Sequence, residues 1–163
     1  MSGPVEPRTD PDVDLRVPGD RRELTTRPAT VLAAIAVGGV LGALARAGLQ
    51  QAVPHGPTGF PWATFGINLT GCLLIGVLMA VLGHLGGGHP LVRPFLGVGV
   101  LGGFTTFSSY AVDVQQAVVA GAPATALAYL AATVLGALIA VALGDAAARM
   151  LSRTRRADHQ AAR

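Results

Sequence analysis

The sequence predicts an all-α membrane protein with four transmembrane helices, and three observations carry that reading. Apolar residues make up 51% of the 163-residue chain and charged residues only 13%, with a mean hydropathy of +0.52; soluble domains carry about 25% charged residues. Four apolar stretches of membrane length alternate with short connections rich in proline and glycine. One of them, Leu91 to Val119, holds the string GVLGGFTTFSSYAVD (Gly99 to Asp113) at its centre. A helix of that length reaches about 43 Å at ~1.5 Å per residue, well beyond the ~30 Å hydrocarbon core. Its midpoint is Thr105. Backbone that leaves the helix in lipid must line a cavity or be buried in protein, so paired glycines and threonines here predict a third helix broken near its middle.

Residues 1–27 mix acidic side chains with five arginines and four prolines and contain no apolar run. That composition predicts a disordered tail and no signal peptide. The four-helix transmembrane unit is then 28–150, followed by a basic C-terminal tail over 151–163. The first span, about 28–52, contains Gly38 and Gly42, a small-xxx-small face on which another helix can approach closely. Its only charge is Arg46, read equally as snorkelling to the interface or as functional.

A loop with Pro54, His55, Gly56, Pro57 and Gly59 leads to the second span, about 61–83, opened by Pro61 and Trp62 at an interface-like position. Thr64, Asn68 and Cys72 are spaced by four and share one helical face. Such a stripe either bonds a neighbouring helix or replaces water around an anion. Residues 84–90 form a glycine-rich connection whose two histidines, His84 and His89, read as solvated loop residues. The third span covers about 91–119, and Gly121 to Pro123 make a tight turn into the fourth, about 124–150. There Tyr129 and Thr133 stand one turn apart, and Asp145 and Arg149 come near its end.

All twelve basic residues are arginine, and they lie in the tails and beside the spans, not interleaved with aromatics as nucleic-acid binding requires. Four spans put both tails and the central connection on one side, which receives nearly all the arginines; the termini are therefore predicted cytoplasmic in a multi-pass cell-membrane protein. Cys72 is the single cysteine, so no intrachain disulfide is available. No nucleophile-base pair, metal-ligand set or phosphate loop appears, so an enzyme is not expected. Four helices leave little room for a solute path, which predicts an oligomer as the working unit.

Three strings, GGVLGALAR (38–46), TFGINLTGCLLIG (64–76) and GGFTTFSSYAVD (102–113), resemble the signature segments of the CrcB/Fluc family of fluoride channels. With the four-span pattern the resemblance covers about residues 30–150. It implies an antiparallel dimer of the dual-topology type that passively exports fluoride from the cytoplasm and so lowers its toxicity. It also implies a structural sodium ion at the dimer interface, held by backbone carbonyls of Gly102 and Thr105. The fluoride pathway it implies runs along Phe107 and Tyr110, with Asn68, Thr64, Tyr129 and Thr133 beside it and Arg46 and Asp113 supporting. This chain departs from the family pattern twice, with tyrosine at 110 for phenylalanine and aspartate at 113 for glutamate. The extra hydroxyl of Tyr110 is expected to alter gating or affinity while conduction is kept.

The residues themselves suit an anion. Bare fluoride in a low-dielectric medium would cost tens of kcal/mol, so a pore must supply replacement donors. Amide and hydroxyl groups do so, and an aromatic ring offers its positive edge. Two other readings compete. A proton-coupled small-drug exporter of the small four-helix antiparallel type needs an intramembrane carboxylate, and Asp113 and Asp145 both lie toward span ends. A non-conducting scaffold would use the glycine faces for packing alone. The strong arginine asymmetry also sets self-pairing in opposite orientations against pairing with a second homologous subunit.

Overall fold

In the computed structural model, residues 28–84 and 90–161 are described, with the backbone alone for His84 and 151–161. The predicted tail at 1–27, His89 in the second connection and the side chains of the C-terminal tail lie outside the described residues. Helices α1 (Pro28–Ala52) and α2 (Trp62–His84) are followed by a π-helical segment (Arg93–Leu101) that runs directly into the short α3 (Gly102–Phe104). After two extended residues come α4 (Phe107–Val119) and α5 (Pro123–Ala161). Four stretches are long and apolar enough to cross a membrane: Pro28–Ala52, Trp62–Gly83, Arg93–Val119 and Pro123–Met150. These agree with the expected spans to within two residues, and α5 continues as helix beyond the fourth.

The helices pack as two close pairs, α1 against the π-helical segment and α3, and α2 against α5, with α4 also lying on α5. Glycine makes both pairings possible. A Cβ on Gly42 would overlap the Val100 carbonyl oxygen and come within 2.7 Å of the Phe104 nitrogen. On the other side a Cβ on Gly76 would meet the Val141 carbonyl, and one on Gly144 the Leu73 carbonyl. Backbones thus touch backbones, and dispersion between them replaces the hydrophobic drive that lipid cannot supply. The small-residue face read at Gly38 and Gly42 is this contact.

The π-helical segment was not foreseen. It carries Pro94 in its first turn and Gly97 and Gly99 within it, residues that give up little when the α-helical ladder is rewound. At the far end of the third span the Ala122 N–H reaches the Ala117 carbonyl at 2.8 Å and the Gly121 N–H the Val118 carbonyl at 3.0 Å, with Gly121 at φ +79°. This paired bonding closes the helix, and Pro123 opens the next one at the position where its missing N–H costs nothing. Outward, leucines and valines such as Leu32, Val40, Leu127 and Leu138 are exposed, while the buried positions favour alanine and glycine. Such a surface suits a hydrocarbon solvent.

Candidate functional site

The site is built around the two residues where helical winding stops. Thr105 has φ −73° and ψ 158°, and Thr106 has φ −149° and ψ 122°, both extended. Backbone groups freed this way must find partners in a membrane. Asn68 on α2 supplies two: its Oδ1 accepts from the Thr106 N–H at 2.9 Å, and its Nδ2 donates to the Thr106 carbonyl at 3.0 Å. One side-chain amide therefore stands in for a strand neighbour. Thr106 then caps α4, its Oγ1 accepting from the Ser109 N–H at 3.1 Å and lying 3.3 Å from Ser108 Oγ and 3.1 Å from Ser109 Oγ.

These bonds redirect the helical ladder. The N–H that would close on the Gly102 carbonyl is that of Thr106, and it serves Asn68 instead; the N–H that would close on the Thr105 carbonyl is that of Ser109, and it serves Thr106 Oγ1. Both carbonyls are released from those i+4 bonds. The Leu101 carbonyl, by contrast, accepts twice from Thr105, from its N–H and from its Oγ1, each at 2.9 Å. Arg46 Nε donates to the Gly103 carbonyl at 3.2 Å, which ties α1 to the same turn.

A cavity of about 380 Å³ opens beside this turn and brings together Asn68, Thr105, Phe107, Tyr110 and Thr133, with Gly102 at its edge. Thr133 Oγ1 is buried there without a hydrogen-bond partner. Phe107 is 80% exposed, and its ring centroid lies 5.7 Å from that of Tyr110. The Tyr110 hydroxyl donates to the Leu130 carbonyl at 3.1 Å, so its proton is spent on α5, and Tyr110 also lines the cavity.

A second cavity, also about 380 Å³, lies on the other side of the first turns of α4 and is lined by Gln50, His55, Thr64, Ser108, Ser109 and Asp113. Tyr129, almost completely buried, packs its ring 5.1 Å from Tyr110 and directs its hydroxyl to Asp113 Oδ2 through a long bond of 3.5 Å. Of the ten expected site residues, six thus meet at the first cavity, Thr64 and Asp113 line the second, Tyr129 lies beneath, and Arg46 lines neither.

Residues 33–145 match the family described as CrcB-like protein, Camphor Resistance (CrcB). The chain belongs to this family. Among similar CrcB-like chains, one from Streptomyces coelicolor is 48% identical over 149 residues, spanning 91% of this chain and 97% of its own. Another from Thermobifida fusca is 55% identical over 124 residues, 76% of this chain and 92% of its own, and one from Streptomyces avermitilis is 52% identical over 124 residues, 76% and 78%. The first is named fluoride-specific ion channel FluC 1, the other two fluoride-specific ion channel FluC 2.

Sequence reasoning did not single out Thr106, nor Gln50, His55, Ser108 and Ser109, which line the second cavity. The serines stood in the central string but were not separated from it. His55 sits in a loop, where no periodicity marks which residue turns inward, and only the fold brings it to Asp113.

Proposed function

We propose that the chain is a fluoride channel that passively exports the anion from the cytoplasm as an antiparallel dimer, with itself or with a second homologous subunit. The observation that carries this reading is the first cavity: at the level of the third-span interruption it joins the Phe107 and Tyr110 rings to the unpartnered Thr133 hydroxyl and the second N–H of the Asn68 amide. These are the donors and positive ring edges a dehydrated small anion needs. The names of the similar chains point to the same substrate. No energy source is required, because a potential of about 100 mV, negative inside, is worth ~2.3 kcal/mol per charge, roughly a fifty-fold outward bias.

In this reading the extended pair Thr105 and Thr106 is a functional break in the third span. The Gly102 and Thr105 carbonyls, released from the ladder, fit a hard cation in their oxygen-only donor set. Two antiparallel copies would offer four such oxygens to a structural sodium ion on the dimer axis, where its charge would offset the field acting on the anion. Exposed Phe107 would line the path against the second subunit. Asp113 faces His55 and Tyr129, and Asp145 is bonded by Arg149 at 2.8 Å, which leaves a proton-coupled exporter without a lone carboxylate among the described span residues.

Fluoride efflux from proteoliposomes, recorded with a fluoride electrode, tests the proposal. Rapid efflux without a proton gradient is expected, lost when Phe107 is replaced by a charged residue. Absence of efflux from the chain alone and from the chain co-reconstituted with a homologous subunit would overturn it.

A further inference from the structure

The second cavity contains a histidine that the fluoride pathway does not use. His55 stands between two acceptors: its Nδ1 is 3.1 Å from the Gly56 carbonyl oxygen, and its Nε2 is 3.6 Å from Asp113 Oδ1. A carbonyl can only accept, so the proton on a neutral ring belongs on Nδ1. Nε2 then turns a bare lone pair toward a carboxylate. Both contacts are made favourable together only when the ring carries two protons. The side chains of His55 and Asp113 are 23% and 12% exposed, shielded enough that the pair is not simply dissolved in solvent.

We infer that His55 is a proton-responsive selector of anion access, setting the charge of the cavity lined by Thr64 and Asp113, the one expected along the fluoride pathway and the other in support of it. The inference rests on the channel reading above. With His55 neutral, Asp113 leaves the cavity at −1 and repels an entering anion; with His55 protonated, the pair is neutral and the repulsion is gone. The other groups facing Asp113 do not compensate. Gln50, Thr64, Ser108 and Ser109 are uncharged, and Tyr129, packed below from α5, is a neutral phenol. Arg46 is held at the Gly103 carbonyl and does not line this cavity.

One unit charge about 6 Å away in a water-like medium changes local anion concentration about three-fold. Imidazoles change charge between about pH 5 and 8. Fluoride efflux from proteoliposomes, at sub-saturating fluoride and with both compartments at the same pH, is therefore expected to be about three-fold faster near pH ~5.5 than near pH ~8. Protein-free vesicles give the leak of hydrogen fluoride to subtract. His55→Gln should flatten the profile at the slow rate, since glutamine can donate to Asp113 without charge. His55→Arg should flatten it at the fast rate. An unchanged pH profile in His55→Gln, or a slower rate in His55→Arg than in His55→Gln, would overturn the inference while leaving the channel reading intact. Absence of fluoride efflux from the unaltered chain at every pH would remove the channel reading and this inference with it.

Discussion

Asn68 does more for the backbone than a sequence stripe suggests. Its amide bonds both polar groups of the buried Thr106, leaving one N–H for the cavity. Asn68→Ala would strand an N–H and a carbonyl, a loss of about 1–3 kcal/mol. A lower melting temperature in detergent, accompanied by at least ten-fold slower fluoride efflux, is the expected result; an unchanged melting temperature would show that the bonds carry no weight. Tyr110 bears on a different expectation, that its hydroxyl alters gating or affinity. Its hydroxyl donates to the Leu130 carbonyl, which on the channel reading leaves no proton of that group for the anion. Tyr110→Phe should therefore keep the rate and the concentration dependence of efflux within about two-fold and cost no more than ~1 kcal/mol of stability, whereas Tyr110→Ala, which removes the ring, should stop conduction.

At the level of the elements, tight packing is concentrated where glycines face carbonyl oxygens. Gly42 and Gly39 are close neighbours on α1, yet they differ sharply. A side chain at 42 would strike the Val100 carbonyl, whereas a Cβ on Gly39 meets nothing within 4 Å. Backbone cannot step aside as a flexible side chain can, so Gly42→Val should cost more than ~3 kcal/mol and reduce folded protein on size-exclusion chromatography. Gly39→Ala should be tolerated, with a melting temperature close to that of the parent. The Gly38 and Gly42 face was legible as a packing surface because its spacing is local. Its partner was not, since the π-helical winding that turns Val100 toward it leaves no periodic mark in the sequence.

For the whole molecule, the arginine distribution bears on how two copies can meet. Ten arginines stand in the two tails or at Arg93 on the side predicted to be cytoplasmic, outside any loop on the other side. If this bias fixes orientation, a cysteine placed at the C-terminus will be labelled from the cytoplasmic face alone, and conduction in cells will require an oppositely oriented homologous subunit. Equal labelling from both faces would instead establish insertion in both directions. Sequence by itself determined the family, the four spans and the string from Gly99 to Asp113 as the centre of interest, because hydrophobic length and contiguous residue patterns are local properties. Tertiary structure alone decided that Asn68 closes on Thr106, that the Tyr110 hydroxyl turns inward and that His55 meets Asp113. Each of those contacts joins residues distant in the chain, and its geometry follows from how closely the glycine-lined helices approach, a distance no single stretch of sequence encodes.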